Sequence, residues 1–321
     1  MWYVKMYFSE KREFFQCDAS GTQGVPSVYR ELPFLESLLS FLEMDCEELA
    51  PMLQRITENW SRLISEDDRQ ARTNAMVELG QLKQRHIYLE LLYMRWYDRF
   101  SRMGAFGDRG SEEDRQMLEE LRRLPEQLPL YQKQIQRFFE LVLDVDSAGR
   151  DPQQQASRNY LYDAPKNPEL FIFHPIPLGF EPVEPGRCSP VLYSGTIKDM
   201  IDYSLRSCVE RGITVRRCKN CGRWFPQTGR VSAEYCERPV APGQQTCREM
   251  GAFQQWTKKQ SDDPVFKVYR KEYKRRFAWI KAGRISDTDF YAWSEKAREE
   301  KKKCDSGALS LEDFTAWLKN S

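Results

Sequence analysis

The stretch Cys218-Lys-Asn-Cys221-Gly-Arg-Trp-Phe225 decides the interpretation of the second half of the chain. Its two cysteines form a C-x-x-C pair, and Cys236 and Cys247 follow, so that four cysteines fall within about thirty residues. This spacing is typical of a tetrahedral zinc site. Because sulfur would fill all four positions, the sequence predicts one structural zinc ion and no open position for catalysis.

The residues around these cysteines predict a treble-clef-like zinc finger. A short strand should lead into the C-x-x-C turn, and a hairpin that starts at Trp224 should turn at Gly229 and end at Cys236. The ring of Trp224 or of Phe225 is expected to shield the metal from water. Cys247 is expected in the first turn of a helix, where the positive helix end favours a thiolate.

Length and composition indicate a soluble globular protein of two or three domains. The chain has 321 residues, of which 40% are hydrophobic and 30% are charged, and a domain usually has roughly 100–200 residues. No apolar run approaches the roughly 18 residues of a membrane span, and the first residues lack the charged-then-apolar layout of a signal peptide. We therefore expect a cytoplasmic protein, in which reduced cysteines bind metal more readily than they form disulfides.

The hydrophobic patterns predict a mainly α protein with small β elements, in the α+β class. Residues 1–147 are expected to form an acidic helical domain with an N-terminal hairpin, whose strands lie near Trp2–Phe8 and 14–17. Residues 148–169 contain prolines, a glycine and a run of glutamines. They are expected to be a linker or an ordered long loop.

Within the helical domain the pattern predicts one long helix from Asp67 or Arg69 to about Phe100. A later helical pattern is interrupted by the stretch Leu124-Pro-Glu-Gln-Leu-Pro, where we expect one helix to end and another to begin.

Residues 170–260 are expected to combine a strand, a helix and the zinc finger. The run Leu170–Leu178 should be a strand at a sheet edge, because Pro175 and Pro177 cannot donate hydrogen bonds to a ladder. An amphipathic helix from about Thr196 to Glu210 should follow.

Residues 261–321 are expected to form a basic helical tail. Asp262-Asp263-Pro264 is a strong helix start, and the first helix should end near Gly283. A short repeat follows in two copies, Gly283–Trp293 and Gly307–Trp317, each with a capping serine and an aspartate three residues later. Each copy is expected to place a phenylalanine and a tryptophan in a shared core.

Positive charge is concentrated at the end that carries the cysteines. The whole chain is nearly neutral, with 49 basic and 48 acidic residues, but from Glu210 onward there are 24 basic and 15 acidic residues. Such an excess suggests an acidic partner, and we expect DNA or RNA first. The residues that would contact nucleic acid under this hypothesis are Arg216, Arg217, Arg223, Arg230, Arg248, Lys267, Arg270, Lys271, Lys274, Arg275 and Arg276.

A different hypothesis makes the protein an interaction or scaffold module with a purely structural zinc site. The basic helices would then meet an acidic protein surface, including that of the chain's own first half, which carries an excess of negative charge. Basic side chains that only solvate a surface are the simplest alternative. The aromatic residues among them fit core packing as well as base stacking.

The sequence offers no convincing set of catalytic residues. No histidine follows His174, so the histidine base of a treble-clef nuclease is missing. Walker, dinucleotide-binding and nucleophile-elbow motifs are absent as well. His86 and His174 are interpreted as structural side chains. We therefore predict no catalytic residue and favour a role other than that of an enzyme.

The motifs C-K-N-C-G-R-W-F, E-Y-C-E-R and T-C-R-E-M-G-A, with the basic helix after D-D-P, resemble a family of uncharacterised bacterial proteins. This resemblance covers about Val191 to the C-terminus and implies zinc ligation without an established activity. The chain is more distantly similar to the bacterial zinc fingers named for a Cys-Gly-Asn-Arg box, which would imply a DNA-binding module. It departs from that box because Arg-Glu-Met-Gly follows Cys247.

Overall fold

The computed structural model describes residues 3–17, 28–66, 68–106, 110–144, 151–229, 232–241, 243–251, 253 and 263–321, with the backbone alone for 100–106. These residues form helices and small antiparallel sheets, which confirms the α+β class. The chain divides into two compact units, Met1–Arg217 with Arg223–Glu234 and Cys218–Gly222 with Tyr235–Ser321. No helix in the described part is long and apolar enough to cross a membrane.

The first unit contains a five-stranded antiparallel sheet. Its strands are β1 (Val4–Ser9), β2 (Arg12–Cys17), β3 (Val28–Pro33), β4 (Leu178–Glu184) and β5 (Arg187–Ser194), in the order β3-β2-β1-β5-β4 across the sheet. β1 pairs with β2 on one side and with β5 on the other. The predicted N-terminal hairpin is thus confirmed, apart from Trp2, which lies outside the described residues.

The helices of the first unit supply most of its buried core. Their apolar side chains recur at helical spacing, and Trp60 and Trp96 are fully buried among them. The helices are α1 (Glu36–Glu43), α2 (Cys46–Glu66), α3 (Arg69–Leu82), α4 (Ile87–Phe106), α5 (Glu112–Phe138), α6 (Pro152–Asp163) and α7 (Ile197–Glu210), with a π-helical turn at Phe139–Leu143.

The sheet joins segments that the sequence assigned to two domains. Strands from both sides of the predicted linker lie side by side, and Met6 of β1 and Leu192 of β5 belong to one hydrophobic core. The linker region itself holds α6, whose N-cap Asp151 accepts a hydrogen bond from the Gln153 N–H and whose first residue is Pro152. An N-cap acid followed by proline favours a helix start, and the glutamines that follow are good helix formers.

The predicted long helix is divided into α3 and α4. A turn at 83–86 separates them, and the ring of His86 accepts a hydrogen bond from the Tyr88 N–H (3.1 Å). Because this side chain satisfies an N–H group at the helix start, a new helix begins there instead of continuing the old one.

In contrast, α5 is continuous where a break was expected. It runs through Pro125 and Pro129. Each proline removes one backbone hydrogen bond, but Leu121, Leu124 and Leu128 are buried along one face. Packing of this face therefore outweighs the local preference of proline.

The predicted edge strand begins later than expected. Residues 171–177 have no regular secondary structure, and the edge strand is β4. Side chains satisfy two N–H groups of this irregular segment: that of Phe173 donates to the Tyr160 hydroxyl (3.0 Å), and that of His174 donates to Asp202 Oδ2 (2.9 Å). These bonds replace the ladder that a strand would have used.

The tail of the second unit begins its helices where the sequence predicted. They are α8 (Pro264–Lys281), α9 (Asp287–Asp305) and α10 (Leu311–Asn320). Asp263, Ser286 and Ser310 each accept a hydrogen bond from a backbone N–H in the first turn. Asp262 lies outside the described residues.

Both repeat copies contribute to one buried cluster of Phe290, Trp293, Ala297, Phe314 and Leu318, with Trp317 packed against it. The shared core of the repeats is therefore confirmed.

One buried carboxyl group fixes the first helix to the sheet. Glu13 on β2 accepts hydrogen bonds from the N–H (2.6 Å) and the hydroxyl (3.1 Å) of Ser37, in the first turn of α1. The N-cap residue of α1, Leu35, has a φ of 66° and gives no side-chain cap, so the carboxyl group takes that role. Burial raises the pKa of Glu13 to about 8, although the hydrogen bonds from Ser37 oppose the shift.

We expect ionisation of Glu13 to lower the stability of the protein at alkaline pH. The pKa of Glu13 in the folded state lies above the ordinary value of 4.5. The contribution of this group to stability is therefore complete below pH 4.5 and is lost as the pH rises through about 8. Glu13→Gln should remove this pH dependence and raise the free energy of unfolding near pH 9 by up to about 4 kcal/mol. Urea unfolding across this pH range measures the difference.

The matched control is Glu31→Gln, which changes an exposed carboxyl group on β3. This variant should keep the pH profile of the wild type. If Glu13→Gln also kept that profile, the role of the buried carboxyl group would be wrong.

Candidate metal centre

Four cysteine sulfur atoms converge in the second unit. The Sγ atoms of Cys218, Cys221, Cys236 and Cys247 all lie within 4.8 Å of one another, and those of Cys221 and Cys236 are 3.7 Å apart. Three of these side chains are buried, and that of Cys221 is exposed. Among the described residues, no other group of three or more potential metal ligands comes together in this way.

The C-x-x-C turn lies in sequence between two short strands. These are β6 (Val215–Arg217) and β7 (Trp224–Pro226), which pair antiparallel. Within the turn, the Gly222 N–H donates to the Cys218 carbonyl (2.8 Å). Gly222 has a φ of 72°, a left-handed conformation that glycine adopts without strain. The glycine after the second cysteine therefore has a backbone role.

The hairpin predicted from Trp224 to Cys236 differs from the observed pairing. β7 pairs with β6, the strand that precedes it in the chain, and Cys236 lies outside the described strands. Pairing across the C-x-x-C turn buries Val215 together with Trp224 and Phe225, which gives the short strands an apolar face. A treble clef stays a prediction for this site.

Hydrogen bonds to sulfur and between loop segments hold the remaining cysteines in place. The Cys236 N–H donates to Cys218 Sγ (3.3 Å), and Asn220 Nδ2 donates to Cys247 Sγ (3.3 Å). The Cys247 N–H donates to the Arg238 carbonyl (2.9 Å). Such N–H groups around sulfur stabilise thiolate ligands and fix their direction.

The motif T-C-R-E-M-G has a structural explanation. Cys247 begins a helical turn over 247–251, and Thr246 accepts a hydrogen bond from the Glu249 N–H (3.2 Å), while the Glu249 carboxylate accepts one from the Thr246 N–H (2.8 Å). This is a capping box. The ring of Tyr235 lies against Gly251 so closely that an added Cβ would stand 2.5 Å from it. The motif thus positions Cys247 and leaves room for an aromatic ring.

The surroundings favour a thiolate at Cys218 and disfavour one at Cys236. Burial raises the pKa of the Cys218 thiol, but backbone N–H groups of Cys221, Cys236 and Asn220 donate to its sulfur and together lower the pKa to about 6. Burial and the neighbouring sulfur atoms raise the pKa of Cys236 above its ordinary value. Further thiolates at these distances therefore need a cation between them.

The ring of Trp224 packs in the core of the first unit. It meets Phe139 edge to face, with 5.3 Å between the ring centroids, and the Arg217 guanidinium lies 4.6 Å from its centroid. Phe225 is also buried. Shielding of a metal ion by one of these two rings stays a prediction.

Four of the predicted nucleic-acid contacts near the cysteines are paired with carboxylates. Arg230 lies outside the described residues. The four pairs, with their nitrogen–oxygen distances, are Arg216–Asp144 (3.4 Å), Arg217–Glu140 (3.6 Å), Arg223–Glu43 (3.3 Å) and Arg248–Glu237 (2.8 Å). These pairs reduce the positive charge that is available to an external anion.

Helix α8 carries basic side chains that face solvent. Four of them are exposed and form no ion pair with a described residue, namely Lys267, Arg270, Lys271 and Lys274. Arg275 is exposed as well but lies 2.5 Å from Glu272. Arg276 is packed inward, with 11% of its side chain exposed, 3.2 Å from Glu272 and 4.6 Å from the Trp293 ring centroid. Arg276 therefore contributes to the packing of the tail.

Residues 191–316 match a family described as a family of unknown function, DUF6076. The match spans all four clustered cysteines and helices α8 and α9, and it agrees with the predicted resemblance to an uncharacterised family. No curated protein and no solved structure matches the chain. The resemblance to the Cys-Gly-Asn-Arg-box fingers stays a prediction.

A second polar cluster gives His174 partners that were missed in the sequence. Its Nε2 lies 2.7 Å from Asp199 and its Nδ1 lies 3.0 Å from Asp202, and both carboxylates belong to α7. Arg206 donates to the His174 carbonyl (2.7 Å) and pairs with Asp202. The spacing 199, 202 and 206 on one helical face was the available sign of such a cluster. The cluster ties residues 171–177 to α7.

We expect His174→Ala to lower the free energy of unfolding by about 1–3 kcal/mol, because the Asp199 carboxylate loses its hydrogen bond with the His174 ring (2.7 Å). Urea unfolding near neutral pH measures this change. Ile172→Ala is the control, since that side chain lies in the same segment and is 47% exposed. Equal unfolding midpoints for the two variants would show that the carboxylate contacts add nothing.

Proposed function

We propose that Cys218, Cys221, Cys236 and Cys247 bind one zinc ion. Sulfur atoms at a zinc–sulfur distance of about 2.3 Å stand about 3.8 Å apart at the corners of a tetrahedron. The separation of 3.7 Å between two sulfurs, and of at most 4.8 Å for the whole set, supports this geometry. Thiolates also favour zinc over magnesium and calcium, which prefer oxygen ligands.

The zinc ion would be structural. Four sulfur ligands leave no position for water or substrate. The ion would link the C-x-x-C turn to the segment around Cys236 and Cys247, where the described residues contain little regular secondary structure. Metal binding at such a site can contribute on the order of 10 kcal/mol to folding.

We expect the purified protein to contain one zinc ion per chain, bound by these cysteines. Cys247→Ser should lose most of the zinc and melt at a lower temperature, because one of four ligands is removed. Cys188→Ser, which changes an exposed cysteine on β5, should keep the zinc content and the melting temperature of the wild type. Elemental analysis and thermal unfolding, with and without a strong chelator, measure both properties.

A wild-type protein purified without zinc, and unaffected by added zinc or chelator, would rule out the metal site. Zinc loss in Cys188→Ser as large as in Cys247→Ser would rule out the assignment of ligands.

We also propose that the protein binds nucleic acid through helix α8. The observation that carries this proposal is a basic face without an acidic residue. At 100° per residue, Lys267, Arg270, Lys271, Lys274 and Lys281 fall within one arc of about 100°. All five side chains are exposed. The acidic residue of this helix, Glu272, is buried outside that arc.

The dimensions of this face support a nucleic-acid partner. Lys267 and Lys281 are fourteen residues apart, which corresponds to about 21 Å along the helix. A nucleic-acid strand offers phosphates in a regular row over such a length, whereas an acidic patch on a folded protein has no fixed spacing. Release of counterions from the phosphates would supply much of the binding free energy.

We expect the full-length protein to bind mixed-sequence DNA or RNA at low salt, with an affinity that falls steeply as salt is added. Replacement of Lys267, Arg270, Lys271 and Lys274 by alanine should weaken binding and reduce the slope of log K against log salt by about three, because each lost phosphate contact accounts for about 0.7–0.9. Fluorescence anisotropy at several salt concentrations measures both effects.

The control variant removes four exposed basic residues from the first unit, Arg69, Arg115, Arg122 and Arg123. It should bind as the wild type does. An equal loss in both variants would mean that only net charge matters, and no binding at tens of micromolar protein would rule out this function. Binding to an acidic peptide but not to nucleic acid would favour the interaction-module hypothesis.

A further inference from the structure

Two exposed aromatic rings of the tail pack against the same buried ring. Phe277 on α8 is 47% exposed and Tyr291 on α9 is 65% exposed. The buried ring of Phe290 connects them, with centroid distances of 5.8 Å to Phe277 and 5.7 Å to Tyr291. We call this pair of exposed rings the aromatic edge.

The Phe277 ring of the aromatic edge adjoins the cations of α8. Arg270 lies seven residues before Phe277 and Lys274 three residues before it, and Lys281 lies four residues after it. These side chains therefore share its side of the helix. The Lys281 ammonium group lies 6.0 Å from the Phe277 ring centroid. A ligand that contacts the rings would therefore also meet positive charge.

Phe277 is held in place although it is half exposed. Its ring is nearly parallel to that of Tyr273, with an interplanar angle of 7° and a centroid distance of 6.5 Å. Tyr273 in turn packs edge to face on Phe290, 5.1 Å away. The exposed ring thus stands on the buried core of the tail and loses little conformational freedom when a ligand binds.

We propose that the tail binds single-stranded nucleic acid, with unpaired bases stacked on Phe277 and Tyr291 and phosphates on the cations of α8. This proposal rests on the nucleic-acid binding proposed above. In a duplex, the faces of the bases are covered by their neighbours, so exposed rings gain nothing from it. An unpaired base offers an open face to an aromatic ring, whatever its sequence.

The two rings should contribute unequally. Phe277 has basic neighbours on its helix, whereas Asp287 and Glu295 lie four residues before and after Tyr291 on α9 and are exposed. These carboxylates repel phosphate groups near Tyr291. Phe277 therefore makes the main stacking contact, and Tyr291 makes the lesser one.

The test compares the binding of labelled oligothymidylate, oligouridylate and a mixed-sequence duplex of equal length to the full-length protein. We expect the single strands to bind more tightly than the duplex. Phe277→Leu, which keeps apolar cover over Phe290, should weaken single-strand binding at least about fivefold. It should leave duplex binding and the salt slope unchanged. Tyr291→Leu should have the same effect to a smaller extent.

The matched control is Tyr162→Leu, because Tyr162 is 65% exposed and the Lys166 ammonium group lies over its ring, yet both belong to the first unit. This variant should bind like the wild type. Circular dichroism and thermal unfolding verify that each variant is folded.

Three outcomes would overturn the inference. If the wild type prefers the duplex, or if Phe277→Leu weakens duplex and single strand equally, nucleic-acid binding stands but base stacking is wrong. If Phe277→Leu is folded and binds single strands as well as the wild type, the rings do not take part. If no nucleic acid binds, the proposed function fails and this inference with it.

Discussion

The pairing of β1 with β5 is the contact on which the first unit depends. It places Val4 opposite Ser194 and Tyr7 opposite Val191, residues that are far apart in the chain. The entropic cost of closing a loop rises only with the logarithm of its length, and burial of the core face of the sheet offsets it. Because α7 follows β5 and β6 follows α7, this pairing also sets the start of the strand that enters the C-x-x-C turn.

The second unit relies on two separate sources of order. The cysteine-bearing segments meet where the four sulfur atoms lie close together, and hydrogen bonds such as that from the Cys236 N–H to Cys218 Sγ hold them there. The tail has its own hydrophobic cluster around Phe290 and Phe314, and no cysteine of the metal site belongs to it. Since the basic face is part of the tail, its shape rests on this cluster. Loss of metal and loss of positive charge are therefore separable in experiments.

The features that the sequence predicted well are those whose cause is local. Asp263 and Pro264 start α8 because the cap and the following proline act within one turn. The cysteine spacing is likewise informative because a metal requires its ligands at fixed distances.

The errors have long-range causes. Residues 171–177 resemble a strand in sequence, but Tyr160 and Asp202 accept the hydrogen bonds of two of their N–H groups. The direction in which β7 pairs depends on its neighbour β6, and no hydrophobic period encodes that choice. The β1–β5 pairing, which merges two expected domains, is likewise a long-range contact that no local sequence pattern encodes.

Electrostatic interpretation has the same limit, because a sequence gives the number of charges but not their partners. Arg217 and Lys274 are equivalent in a count, yet the first lies near Glu140 and over Trp224, while the second forms no ion pair with a described residue. Lys274 and Arg276 are only two residues apart, but the helical period turns them to different sides. Arg276 contacts Glu272 and Trp293, so its positive charge interacts with groups inside the tail. The argument for an external anion therefore depends on the exposed arc of α8, which is a property of the helix and its packing and not of the total charge.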